Sequence, residues 1–440
     1  MKKISKLLGL AVVLSSTMVS CSSSEDDVDL GEAKTVVNML SESVPVKLTA
    51  EQTLFVNDNN KFTMNFLKTV NEADRSGKSF IYSPLSITYV LGMVNDAATG
   101  LTEKELEETL GFHDGGIQAV NDYCKKLIDG LPKVDDKVTL NIANAIFLNK
   151  DYALKPQFEQ DMQTYYDAKA EALDFSASNT LDHINGWCKE KTNGMIPSIL
   201  DDIDPSTVSY LLNAIYFKAD WASKFDPKNT KNETFATENG NSSTDIPMMH
   251  QNVLISYLKT DTYSAIILPY GTGLWNMTVL LPEKGKTTDD VIKEVAQSSI
   301  LNNPGWCETG GNYFEGYEVD LKLPRFETSS DTDKLEDGLI GLMKKMGINR
   351  AFEDGLAEFP NMCEAPVYIE MMRQKAKIKV NEEGSEAAAV TVAGMNYESM
   401  GPDTPPEYPK ATFHANRPFV YVIREVSSGV ILFVGKFTGK

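Results

Sequence analysis

The chain has 440 residues, 42% hydrophobic and 24% charged, and carries a formal net charge of −20 from 62 acidic against 42 basic residues. That is enough chain for one large domain, or two smaller ones, with a substantial core. The acidity argues against nucleic acid as a partner, because a phosphate backbone would be repelled.

Residues 1–20, MKKISKLLGLAVVLSSTMVS, have a basic start at Lys2, Lys3 and Lys6, a short apolar run and small residues before Cys21. This is the pattern of a secretory signal, with an apolar run too short to span a bilayer as a stable helix. TMVSC resembles a bacterial lipobox, in which the chain is cut before the cysteine and the cysteine is lipidated, so Cys21 is the expected anchor. Loss of three lysines takes the charge from −20 to −23. The following CSSSEDD resembles the acidic tag that sends some Gram-negative lipoproteins to the cell surface, and reads equally as a solvated tether. Export through the inner membrane and anchorage to the outer membrane are expected, surface-exposed or, alternatively, facing the periplasm.

Residues 21–50 form the expected tether, and no second linker follows, so residues 51–440 are predicted to be a single domain. KFTMNFLKTVNEA (61–73) sets Phe62, Phe66 and Val70 on one helical stripe, and residues 83–112 read as two helices separated by Gly100. Strand-like runs occupy 139–149, 209–221, 263–270, 275–282, 317–326 and 419–437. Helical patterns between some of them give a mixed α+β architecture without strict βαβ alternation.

No catalytic constellation emerges. His113, His183, His250 and His414 are isolated in the sequence, HExxH and GxSxG are absent, and Gly77, Lys78 and Ser79 lack the leading glycine of a P-loop because position 72 is Glu. Asp201 and Asp202 read as a solvated turn. Cys124, Cys188, Cys307 and Cys363 are widely and irregularly spaced without a CxxC pair, which favours buried free thiols over zinc; two disulfides are an alternative that spacing cannot choose. No metal and no cofactor are expected.

Residues 380–409 read VNEEGSEAAAVTVAGMNYESMGPDTPPEYP. Val380, Val390, Thr391 and Val392 favour extended backbone with small residues between, whereas four prolines from Pro402 to Pro409 specify an exposed, stiffened loop. EEGSEAAAVT (382–391) resembles the hinge of an inhibitory serpin. FIYSPLSI (80–87), LLNAIYFKADWASKFDP (211–227), IPMM (246–249), LPY (268–270), LPRF (323–326), KMGINRAF (345–352) and NRPFVYVIRE (416–425) resemble serpin landmarks in serpin order.

The resemblance implies three β-sheets, eight or nine helices and an exposed reactive-centre loop at about 381–415. It also implies a suicide-substrate inhibitor: a protease cuts the loop, forms its acyl-enzyme, and is trapped as the freed loop inserts into the main sheet. The nucleophile belongs to the protease, so this chain is not expected to be an enzyme. The hinge would be Glu382, Glu383, Gly384, Ser385, Glu386, Ala387, Ala388, Ala389, Val390 and Thr391. Alternate residues Ser385, Ala387, Ala389, Thr391 and Ala393 are all small, so an inserting strand forces nothing bulky into a packed core, and Glu386 falls on the outward alternation. Ser385 is expected to wait at the loop's base until insertion. Ser83, Ser86, Asn213 and Gln374 match the polar cluster beneath the parting strands, with Gln374 where the family usually has histidine; Trp221 matches the tryptophan where insertion begins. Counting from the hinge places the reactive bond between Glu398 and Ser399, with Tyr397 and Met400 as neighbours. Counting back from Pro418 lands near Glu407 and Tyr408, because the loop is about nine residues longer than usual.

With no Lys or Arg between Val380 and Pro409, the expected targets are glutamate-specific, chymotrypsin-like or elastase-like serine proteases, with papain-like proteases a further class. The protein would act as a monomer. The alternative is a non-inhibitory serpin acting as a binding module.

Overall fold

The structure, a computed structural model, describes residues 30, 33–35, 43–74, 76–112, 115–237, 242–297, 315–385 and 408–440. β1 (Lys34–Thr35) pairs in parallel with Val253 and Leu254. Val46 is buried and its N–H donates to the Ser427 hydroxyl, while the Val44 N–H donates to the Val134 carbonyl. Part of the stretch read as tether therefore packs on the body, and the fold begins before residue 51.

Thr49 and Gln52 form a reciprocal capping box that starts α1 (Ala50–Ala73), whose Phe55, Phe62, Phe66 and Val70 are buried. After β2 (Phe80–Tyr82), Ser83 caps α2 (Pro84–Ala97), with Pro84 in the first turn where a missing N–H costs nothing. Every residue of α2 is buried, and it packs against strands of both sheets. There follow α3 (Gly100–Leu110), α4 (Gly116–Gly130), β3 (Val138–Asn149), α5 (Pro156–Tyr166), β4 (Lys169–Leu173), α6 (Thr180–Lys191), β5 (Ser209–Asp220), β6 (Lys231–Ala236) and β7 (Ser242–Lys259). Then come β8 (Tyr263–Tyr270), β9 (Trp275–Pro282), α7 (Thr288–Gln297), β10 (Glu315–Pro324), β11 (Phe326–Asp331), α8 (Gly338–Met346) and β12 (Met371–Val380). The chain closes with β13 (Gly384–Ser385), β14 (Lys410–His414), β15 (Phe419–Glu425) and β16 (Ile431–Phe437).

The strands expected from the sequence appear as β3, β5, β8, β9 and β10 and as the β15–β16 hairpin, and the described residues hold eight α-helices. A six-stranded sheet runs β11-β12-β13-β5-β3-β4. A ten-stranded sheet runs β14-β10-β7-β8-β9-β15-β16-β2, with β1 and β6 paired to β7. The long β7 belongs to two strand groups: Met248–Tyr257 pair with β10, and Ser256–Lys259 pair with β8. Joined through β7, these two groups and the six-stranded sheet account for the three sheets that the resemblance implies.

The six-stranded sheet is apolar on both faces over part of its area. Leu211, Ile215, Phe217 and Ala219 of β5 face the main core beside α2, while Leu212 and Ala214 join Phe147, Ile184 and Trp187 in a second core under α6. That alternation of two buried sets along one strand is why β5 reads as a continuous hydrophobic run.

Candidate functional site

β5 and β12 run parallel but pair only from Tyr210–Ala214 and Met371–Lys375. Beyond Lys375 the strands separate, and β13 occupies the far end of the opening, antiparallel to both: Ser385 lies opposite Val380 on one side and Ala219 on the other. The main sheet thus contains a seam, closed at one end by direct parallel pairing and at the other by the first two residues of a returning strand.

A tight turn feeds that strand. The Asn381 N–H donates to the Gly384 carbonyl at 2.9 Å, and the Asn381 side chain accepts from the Glu383 N–H at 3.0 Å. Gly384 is required by close approach, since a Cβ there would stand 2.0 Å from the Ala219 carbonyl oxygen. Ser385 is fully buried and its hydroxyl shares a 2.6 Å hydrogen bond with the Tyr270 hydroxyl. The expectation that Ser385 waits outside the sheet is therefore corrected: a small, hydroxylated side chain fits the slot beside Ala219 and finds a buried partner there, so it is already inside. The loop is correspondingly narrower than 381–415, since Gly384–Ser385 and Lys410–His414 are strand.

Trp221, matched in the sequence to the tryptophan where insertion begins, lies against the turn. Its indole donates to the Asn381 carbonyl at 2.9 Å, its N–H donates to the Glu383 carbonyl at 2.7 Å, and its ring stacks on Tyr270 at 4.3 Å. The two hinge glutamates are tied down by partners that sequence reasoning missed. Buried Glu382 accepts from Arg325 Nε at 3.1 Å, from Arg325 Nη2 and from the Thr230 hydroxyl at 2.6 Å. Burial raises its carboxyl pKa, but the Arg325 and Thr230 bonds outweigh that and hold it below the usual carboxylate range. Glu383 accepts from Lys224 at 2.6 Å, and Lys224 also reaches Asp220 at 2.8 Å. Arg325 sits in the landmark LPRF, but nothing in the spacing links position 325 to position 382.

At the closed end, Gln374 is fully buried with both amide atoms engaged. Its Oε1 accepts from the Ser83 N–H at 3.0 Å, and its Nε2 donates to the Ser83 carbonyl at 2.9 Å and to Asn213 Oδ1 at 3.3 Å. Ser83 Oγ donates to the Leu432 carbonyl at 2.7 Å and lies 3.1 Å from Ser86 Oγ, whose hydroxyl can donate back to it. The structure brings the four residues together, and adds Asn144, which accepts from Asn213 Nδ2 at 2.8 Å, and Thr332, whose hydroxyl accepts from the Gln374 N–H at 3.0 Å. A neutral amide bridges here without a titrating proton. On the opposite face of β12, Arg373 binds Asp331 at 2.7 and 2.9 Å and Asp201 at 2.9 Å, fastening β11 to β12. Asp201 is thus an ion-pair partner as well as a turn residue.

Glu386 to Thr391, Tyr397, Glu398, Ser399, Met400 and Cys21 lie outside the described residues, as do Cys307 and His113. Cys124, Cys188 and Cys363 are buried free thiols, and burial pushes the Cys124 and Cys188 thiols up to about 12. The reading of the histidines as isolated is corrected for two of them: His250 and His414 meet at Asp320, because β7 and β14 flank β10 in register.

A family model described as Serpin (serine protease inhibitor) matches residues 57–439. The leukocyte elastase inhibitor of Sus scrofa is 31% identical over 388 residues, covering 86% of this chain and 98% of that protein. Among solved structures, the thermophilic serpin tengpin in its native state gives a TM-score of 0.74 at 25% identity, covering 94% of this chain and 98% of that one. Human thyroxine-binding globulin, solved in complex with thyroxine, gives 0.75 at 27% identity, covering 88% and 98%.

Proposed function

The chain belongs to the serpin family, and from that premise we propose that it is a suicide-substrate inhibitor of serine proteases whose cleaved loop enters the seam between β5 and β12. The observation that carries this reading is the seam itself, in which Gly384 and Ser385 already pair antiparallel with the strands that flank the opening. Continuing their register would set Ala387 between Phe217 and Ile378, Ala389 between Ile215 and Ala376, Thr391 between Asn213 and Gln374, and Ala393 between Leu211 and Met372. All eight flanking residues are buried, so only small side chains can enter without displacing them. On the other face the same register sets Glu386 between Lys218 and Lys379, which are not buried, so its charge meets two cations near water.

The chemistry before insertion is the protease's own. Its nucleophile attacks the carbonyl of Glu398, the amine of Ser399 leaves, and an acyl-enzyme joins the protease to the new end of the loop. Insertion replaces one parallel pairing by two antiparallel ones, which are slightly more stable per residue, and must undo the Tyr210–Ala214 and Met371–Lys375 pairing as it advances. Fifteen residues of strand at ~3.3 Å each would carry the acyl end roughly 50 Å, far from where the protease first bound.

Glu398 fits a glutamate-specific protease, Tyr397 a chymotrypsin-like one and Met400 an elastase-like one, the last in keeping with the likeness to a leukocyte elastase inhibitor; papain-like proteases follow as a wider class. The protein acts as a monomer. Lipidation at Cys21 would hold it at the outer membrane, facing outward or toward the periplasm, and Cys21→Ala should then release it from the membrane fraction. A second reading, a binding module without inhibition, draws on the likeness to thyroxine-binding globulin. Incubating the full chain with chymotrypsin, elastase and a glutamyl endopeptidase separates the two. Inhibition predicts an SDS-resistant complex with at least one of them; loop cleavage by all three with no complex leaves the binding module.

A further inference from the structure

We propose that His250, Asp320 and His414 form a binding site for one divalent transition-metal ion of the zinc type. The three side chains come from adjacent strands β7, β10 and β14, and their ligand atoms all lie within 4.8 Å of one another. His250 Nε2 lies 2.6 Å from Asp320 Oδ1, and His414 Nε2 lies 2.8 Å from Asp320 Oδ2. The two imidazole rings stand nearly perpendicular, at 85°, with centroids 6.1 Å apart. One carboxylate thus serves two imidazole nitrogens that both point into the same space.

In a tetrahedral set with bonds of roughly 2.0–2.2 Å, ligand atoms stand about 3.3 Å apart, so closing this trio around an ion needs only small side-chain movements. Each Nε2 must present a lone pair, which places the proton of the neutral ring on Nδ1. The donor set of two imidazoles and one carboxylate favours zinc, copper or nickel over calcium and magnesium, which prefer oxygen, and leaves a fourth position for water. Neighbouring charges are already engaged. Lys322, which lies opposite both histidines in register, is held by Glu233 at 2.9 and 3.1 Å, and Glu318 accepts from Asn252 at 2.8 Å.

The placement gives the ion a structural consequence. Among the described residues β14 is an edge strand of the ten-stranded sheet and the first strand after residues 386–407, so an ion shared by His414, Asp320 and His250 would cross-link it to two interior strands. This goes beyond protease inhibition and does not depend on it.

The test uses the full chain stripped with a chelator, titrated with Zn²⁺ by calorimetry and melted with and without the ion. His250→Gln, His414→Gln and the near-isosteric Asp320→Asn are the variants, and His183→Gln, which removes a histidine paired with Glu171 elsewhere, is the control. The site predicts one ion per chain and a melting temperature raised by zinc. It also predicts a loss of affinity in each variant of at least the roughly 100-fold that removing an outer-shell partner can cost, with the control unchanged. The absence of saturable one-to-one binding, or wild-type affinity retained in either histidine variant, would overturn it, the second outcome by placing the ligands elsewhere in the chain.

Discussion

At the lower end of the seam, Gln374, Ser83 and Asn213 lock two parallel strands with neutral groups shut away from water. At the upper end, Glu382 with Arg325 and Glu383 with Lys224 hold the hinge by charge, and Arg325 and Lys224 keep part of their side chains in solvent. Both ends are closed, but by different physics. A buried amide network gains little from rearranging and is indifferent to salt, because no ion can screen it. The Lys224–Glu383 pair, partly exposed on both sides, exchanges its partner for water at small cost, typically 0–1 kcal/mol for exposed pairs, whereas Glu382 is buried and meets water only through the half-exposed Arg325. An opening meant to propagate from hinge to base would need this asymmetry: a latch that yields at the top and a lock below that breaks only when an incoming strand supplies replacement hydrogen bonds. In the register proposed for the inserted loop, Thr391 would come level with Gln374 and Asn213 and would supply them.

The largest effect is expected at Ser385. Its slot is fully buried against Tyr270, so Ser385→Arg would cost about 3–5 kcal/mol if the cation stayed inside. Residues 384 and 385 should instead leave the seam, making the intact protein less stable and halting insertion at its first step. Inhibition should turn into plain cleavage, read as inhibitor consumed per protease inactivated. Equal stoichiometry in Ser385→Arg and wild type would mean that the upper end is not the entrance.

A smaller loss is expected at the lower end. Gln374→Leu keeps the volume roughly constant but strands the Ser83 N–H and Asn213 Oδ1, and leaves the Ser83 carbonyl with the Ile87 N–H alone at 3.3 Å. At about 1–3 kcal/mol for an unsatisfied buried group, partly relieved by relaxation, the intact protein should lose about 2–4 kcal/mol. Urea unfolding measures this, and the loss should be the same at low and high salt; a loss that shrinks with salt would show that the lower lock is electrostatic after all.

The smallest effect belongs to the latch and sharpens the contrast through pH. The Glu382 carboxyl has a folded pKa below its ordinary 4.5, because the Arg325 and Thr230 bonds outweigh burial. Its contribution is fully present above about 4.5 and is lost as pH falls through the folded value. Glu382→Gln should cost about 1 kcal/mol near neutrality and remove the acid sensitivity of the hinge. Fluorescence of Trp221, which stacks beside the turn, should report the difference during acid titration; identical acid profiles in the two proteins would assign the sensitivity to other carboxylates.

The strands were legible in the sequence where one local pattern suffices, as in the apolar runs of β5, β8 and β9. The polar cluster at Ser83, Asn213 and Gln374 was legible only through resemblance, since its members are 130 and 161 positions apart and share no local signal. Two features were not legible at all. The pairing of Glu382 with Arg325 depends on how far the chain returns across the sheet top. The meeting of His250 and His414 depends on β14 running parallel to β10 after a long excursion, a register that no spacing encodes. Ser385 was read correctly as a small strand residue but assigned to the wrong place, because its pattern says which side it faces and not when it enters.

The most direct test of the seam as the destination of the loop is the melting of the full chain before and after a single cut near Glu398. The account predicts that the cut protein melts well above the intact one, since residues 386 onward would fill the opening between β5 and β12 and convert its parallel closure into two antiparallel pairings. A cut protein that melts at or below the intact one would show that the loop does not enter the sheet, and would contradict the account at its centre.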